Sequence, residues 1–106
     1  MESQLMVLMG YVSGNHGQPD WTLDDPQVGQ RTVIRSVTFP KPFPQVPGVL
    51  VNLRGLDAAA GKNLRVRVYA ADITPTAFNV KFETWADSII YEVRASWIAI
   101  TMPVML

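Results

Sequence analysis

A period of two runs through most of this sequence, and it is the feature that most limits the fold. Leu64, Val66, Val68 and Ala70 alternate with Arg65, Arg67, Tyr69 and Ala71. Phe78, Val80 and Phe82 alternate with Asn79, Lys81 and Glu83, and Tyr91, Val93, Ala95 and Trp97 with Glu92, Arg94 and Ser96. Successive side chains of a strand point to opposite faces, so such runs place one face on a core and the other in water. Val33, Val37 and Phe39 alternate more loosely, as do Val49, Val51 and Leu53. The segment from Leu5 to Val12 fits a further strand and, through Leu5, Leu8 and Val12, a short helix; both readings stay open.

Turn chemistry separates the runs. Residues 40–48 hold four prolines, a stiff extended connection that cannot donate to a sheet ladder. Leu56 to Asn63 is predicted to join the third and fourth strands, and Thr74-Pro75-Thr76 to form a tight turn. Ser13 to Gln30 is predicted as one long loop anchored by Trp21, a length that marks a functional segment in a compact domain. Six short strands with these turns predict an all-β, six-stranded antiparallel β-sandwich.

Composition removes several functions. The chain has 106 residues, enough for one core that hides about 65% of the unfolded surface. Nine basic residues balance nine acidic ones, so no overall field draws in nucleic acid or an acidic membrane. There is no cysteine, which excludes a disulfide scaffold, a thiol nucleophile and Cys-based zinc sites. No apolar run approaches the ~20 residues of a membrane span, so membrane insertion is not expected. Met1-Glu2-Ser3-Gln4 and the short run Leu5 to Met9 lack the form of a signal peptide. The expected location is cytoplasmic, outside the cell by a non-classical route, or within a particle.

Catalytic chemistry has little to rest on. His16 is the one histidine, in Gly14-Asn15-His16-Gly17, and no serine stands in a nucleophile-elbow context. It reads as a solvated loop residue. The adjacent carboxylates Asp24 and Asp25 point apart in extended chain, and with Asp20 they lack the spacing of a calcium loop. Arg54, Lys62, Arg65 and Arg67, with Trp85 and Tyr91 as stacking faces, read more simply as a solvated sheet face than as a nucleic-acid patch. A neutral saccharide suits the same residues better. It needs a forked donor such as Arg65 for neighbouring hydroxyls and an aromatic ring, Trp85 or Tyr91, over its C–H face. Tyr91 shares parity with Val93 and Trp97, so core packing explains it equally well.

Read in order, the chain resembles the H-type lectin domain, the galactose/N-acetylgalactosamine-binding module of snail agglutinins and of the C-terminal part of discoidins. The resemblance rests on Val12-Ser13-Gly14, Trp21, Asp24-Asp25-Pro26, Arg31, Val37-Thr38-Phe39, Pro47 to Leu53, Leu56-Asp57 and Asn63-Leu64-Arg65-Val66. It continues through Ile73 to Phe78, Thr84-Trp85, Tyr91 and Ser96-Trp97-Ile98. It implies a sandwich domain over residues 12–101, between an N-terminal extension (1–11) and a C-terminal tail (102–106). It also implies a homotrimer, or a pair of trimers forming a hexamer, with sugar sites near the protomer boundaries. By resemblance Arg65 grips ring hydroxyls, Trp85 lies beside the sugar and Tyr91 borders it. The loop carboxylate of the snail proteins is out of register here, since Gln27-Val28-Gly29 follows Pro26. Asp25 is expected to stand in for it and Gly29 to allow close backbone approach. Ala86 stands where the snail proteins have histidine.

These readings predict a multivalent carbohydrate-binding lectin with no catalysis, no cofactor and no metal. The competing expectation is a trimerising structural or adhesion module of a fibre or particle with a degenerate sugar site. The apolar ends, Leu5 to Met9 and Met102 to Leu106, motivate that second expectation.

Overall fold

The computed structural model describes residues 5–26 and 29–101. The first four residues, Gln27, Val28 and the tail 102–106 lie outside the described residues, and with them the position of the family's loop carboxylate. Six strands follow in chain order: β1 (Met6–Asn15), β2 (Arg31–Thr38), β3 (Gly48–Ala58), β4 (Arg67–Ala71), β5 (Ala77–Thr84) and β6 (Ile90–Thr101). They form two antiparallel three-stranded sheets, ordered β1-β6-β3 and β2-β5-β4. The predicted six-stranded antiparallel sandwich is the observed fold.

The central strands β5 and β6 carry the strictest alternation, and they supply most of the core. Phe78, Val80 and Phe82 face Val93, Ala95, Trp97 and Ala99, all buried. Phe78 meets Trp97 edge-on at 5.3 Å, and Phe39 stacks on Phe78 at the same distance. Each such ring withdrawn from water contributes about 1.5–3 kcal/mol, and tilted pairs add to that through their quadrupoles. The small residues Ala95 and Ala99 on β6 leave room for these rings.

Several boundaries differ from the sequence reading. The segment of open type is strand: β1 pairs with β6 from Met6↔Thr101 to Asn15↔Glu92. The long loop therefore begins at His16 rather than Ser13, and β3 runs on to Ala58 into the predicted connection. β4 begins at Arg67, later than the alternation from Leu64 implies, and Leu64 is exposed. The reason is local. The N–H of Arg65 donates to Ser88 Oγ (2.9 Å), and its carbonyl accepts from Thr84 Oγ1 (2.5 Å), so side chains take the groups a ladder would use.

The loop from His16 to Gln30 is pinned to the sandwich. Trp21 is buried, its indole N–H donates to the Ile90 carbonyl at 2.8 Å, and Ile90 N–H donates to the Leu23 carbonyl at 2.9 Å. Gly14 makes room for the ring, because a Cβ there would lie 2.5 Å from Trp21 Cζ3. Two bulges adjust the β3–β6 ladder. Arg54 is the extra residue on β3 and Tyr91 the extra residue on β6. An extra residue turns its side chain off the regular alternation, so Tyr91 is half-buried rather than placed with Val93 and Trp97 in the core.

Candidate functional site

The turn between β5 and β6, Trp85 to Ser88, is where the candidate residues converge. Arg65, two residues ahead of β4, reaches it directly: Nη1 donates to Asp87 Oδ1 at 2.8 Å. Asn63 Nδ2 lies 3.4 and 3.5 Å from the two Asp87 oxygens. Beneath them Ser88 Oγ donates to the Asn63 carbonyl at 2.6 Å while accepting from Arg65 N–H. Two loop segments distant in sequence are thus laced together by short hydroxyl bonds, and the charged tips stay accessible. Burial pushes the Asp87 carboxyl up, but donors from Asn63, Asp87's own N–H and Arg65 outweigh it and hold the group below its ordinary value.

Arg31 joins the second loop to the same turn. Its guanidinium donates to the carbonyls of Asp25 (2.6 Å), Gly29 (3.1 Å) and Ala86 (2.8 Å). Asp25 and Gly29 are therefore held against Ala86 through one arginine that contributes structure. Gly29 and Ala86 both have positive φ, 137° and 56°. Nothing lies within 4 Å of a Cβ built on Gly29, so the chain there is open to close approach.

Trp85 projects from the end of β5 onto the outer face of the β2-β5-β4 sheet, as its shared parity with Lys81 and Glu83 implies. It is the exposed tryptophan of the three, at 36%, against 7% for Trp21 and 5% for Trp97. Arg67 covers it, with the guanidinium carbon 5.3 Å from the ring centroid. Glu83 holds Arg67 there: Oε1 accepts from Nε (2.9 Å) and Nη2 (2.6 Å), while Oε2 accepts from Tyr69, Thr32 and Gln30. Burial pushes Glu83 up, yet these donors win, so its carboxyl lies below the ordinary 4.5. Tyr69, donating to the carboxylate, is pushed up in turn.

The remaining candidates separate. Tyr91 meets His16 edge-on, ring centroids 5.4 Å apart, and its carbonyl accepts His16 N–H at 2.8 Å. His16 is exposed at the loop tip. Asp20 is bound to Arg35 at 2.6 Å, and among the described residues no three acidic or histidine side chains converge on a cation position. The basic cluster divides too: Arg54 lies over Tyr11 on the outer face of the other sheet, 4.4 Å from the ring centroid, while Arg65 and Arg67 are paired with carboxylates. A hollow of about 390 Å³ is also on that other face, lined by Met9, Tyr11, Arg54, Ser96 and Ile98 among others. It is apolar and far in character from the polar turn.

Sequence reasoning missed Asp87, Asn63 and Glu83 as partners of the site, and took Arg67 for a plain sheet-face charge rather than the cover of Trp85. Parity carried a signal for Glu83 and Arg67, since both share a face with Trp85. Nothing in the spacing joins Asn63 to Asp87, because only the packing of two loops does so.

The six-stranded sandwich with this turn is a domain of the lectin class. Residues 34–100 match the H-type lectin domain, and the chain belongs to that family. Discoidin-2 of Dictyostelium discoideum is 30% identical over 73 residues, 68% of this chain and 28% of its own. A protein of Fuscovulum blasticum described as ATP synthase subunits region ORF 7 is 43% identical over 72 residues, 68% of this chain and 63% of its own. The chain thus spans less than two thirds of the length of these relatives. Among solved structures, recombinant discoidin II of Dictyostelium discoideum superposes with a TM-score of 0.82 at 28% identity, covering 96% of this chain and 39% of the other. The tailspike gp61 of Pseudomonas phage phi297 shares the fold, with a TM-score of 0.60 at 15% identity, over 94% of this chain and 16% of that one.

Proposed function

We propose that this domain binds galactose/N-acetylgalactosamine-type sugars at the Trp85–Ser88 turn and does so multivalently. The observation that carries the reading is the Arg65 guanidinium, anchored through its own backbone and reaching Asp87 on the turn that also carries the part-exposed Trp85. A forked donor engages two neighbouring hydroxyls, and the indole covers the C–H face of the ring. Trp85 and Ala86 lie on the turn and the backbone of Asp25 and Gly29 adjoins it through Arg31, while Tyr91, at the start of β6, packs against His16. The chemistry is recognition rather than turnover. Binding to a glycan array, followed by calorimetry with galactose and N-acetylgalactosamine, tests it. Arg65→Ala is expected to abolish the signal with little change in melting temperature. Absence of any galactose-type signal, or one unchanged by Arg65→Ala, overturns it.

Multivalency rests on the outer face of the β1-β6-β3 sheet. Leu5, Val7, Met9, Tyr11 and Leu50 are exposed there, next to the hollow lined by Ile98. A contiguous apolar patch on a neutral protein marks a contact surface, and we assign it to a second copy of the chain in a trimer or a pair of trimers. The same face favours the second reading, an oligomeric structural or adhesion module whose sugar site has decayed, with Ala86 in place of histidine. An oligomer that releases no heat with any galactose derivative would select it.

A further inference from the structure

Sugar recognition by a guanidinium needs an acceptor beside it, because a hydroxyl that accepts from arginine still has a proton to donate. The described carboxylates differ in what they offer. Glu83 is buried, and both its oxygens are engaged by Arg67, Tyr69, Thr32 and Gln30. Asp20 is bound to Arg35, Asp72 accepts from Asn79, Glu92 lies 3.8 Å from Arg94, and the link from Asp25 to the turn runs through its backbone carbonyl on Arg31. Asp87 touches Arg65 itself, and the two side chains keep 44% and 33% of their surface exposed.

We propose that Asp87 is the carboxylate that reads the sugar, accepting a hydrogen bond from the hydroxyl beside the one that Arg65 grips. Asn63 flanks the pair and can donate or accept at the ring's edge. This deepens the galactose reading above and rests on it. The three side chains present a donor, an acceptor and a group with both characters, which matches the alternating demands of vicinal hydroxyls. The carboxylate comes from the Trp85–Ser88 turn, on the same four residues as the tryptophan, so ring cover and hydroxyl reading move as one unit.

Stability alone gives a poor account of the pair. An accessible Arg–Asp bridge contributes about 0–1 kcal/mol. The backbone of Arg65 is already fixed by Ser88 and Thr84, so the fold does not depend on Asp87 to hold it.

The test compares Asp87→Asn, Asp87→Ala and Asp25→Asn by calorimetry against galactose and its monodeoxy derivatives, with melting temperatures recorded for each. Asp87→Asn keeps an oxygen facing Arg65 and loses the charge; it is expected to bind galactose at least about tenfold more weakly. Asp25→Asn is expected to stay within about twofold. In Asp87→Ala, the deoxy sugar lacking the hydroxyl that Asp87 reads should bind as well as galactose, whereas the parent discriminates between them. A uniform loss across all deoxy sugars would instead mean that Asp87 only orients Arg65, and would overturn the assignment. So would unchanged binding in Asp87→Asn, or loss in Asp25→Asn alone. A parent chain that binds no galactose-type sugar overturns the sugar reading and this assignment together, so the two failures are told apart.

Discussion

Ala86 carries the clearest tension at the scale of single residues. Its φ of 56° is in the left-handed region, where a Cβ crowds the following carbonyl, yet its own carbonyl is held by Arg31 at 2.8 Å. Relief of roughly 1–2 kcal/mol of that crowding, less the greater unfolded-state freedom of glycine, leaves Ala86→Gly more stable by about 0.5–1 kcal/mol. Thermal or urea denaturation measures it directly. Tyr91 teaches the complementary lesson. Its parity with Val93 and Trp97 fits core packing as readily as a ligand contact, and a bulge turns its side chain out of the core alternation. A bulge is a property of two strands, so one strand's pattern cannot announce it.

At the scale of elements, the outer face of β4 and β5 behaves as a unit built around one carboxylate. Glu83 fixes Arg67, and Arg67 covers Trp85. Because Trp21 and Trp97 are buried, quenching of fluorescence by acrylamide reports chiefly on Trp85. Glu83→Gln is expected to raise that quenching and lower stability by about 1–2 kcal/mol, a modest loss because Arg67 remains half in water. The pH dependence has a definite sign. A carboxyl held below its ordinary 4.5 by folding stabilises fully above that pH and loses its contribution as the pH falls through the folded-state value. The melting temperature of the parent should therefore drop on acidification below about pH 4.5 more steeply than that of Glu83→Gln. The strands themselves were legible, because period-two alternation is a direct imprint of one buried face. Their ends were less so. The start of β4 depends on hydroxyls from Thr84 and Ser88, which compete for the backbone of Arg65 from some twenty positions away.

For the whole molecule, the decisive asymmetry is between the two outer faces. One sheet shows a largely polar surface, Ile34 apart, ending in the candidate site, and the other shows Val7, Met9, Tyr11 and Leu50 to solvent. Met9, Ile98 and Leu50 form one cross-strand row on that sheet. Charges in that row should be compatible with the protomer fold but not with an apolar contact. Met9→Lys combined with Leu50→Lys is expected to sediment as a monomer where the parent does not. The variant should also lose about 10²-fold in retention on a galactose-coated surface, since linked sites act through effective concentration. Its binding of free galactose in solution should remain measurable.

The sequence by itself determined the sandwich class and five of its six strands, much of the apolar core, the absence of any thiol chemistry and the family to which the chain belongs. Each is written in local pattern: alternation, proline placement, residue type and order. Tertiary structure decided which charges are neutralised by which partners, where Tyr91 points, and which carboxylate stands beside Arg65. Those depend on contacts between loops far apart in the chain, whose geometry no spacing rule encodes. The site is an outcome of packing, and Asp87 becomes its neighbour only when the turn after β5 folds back onto the approach to β4.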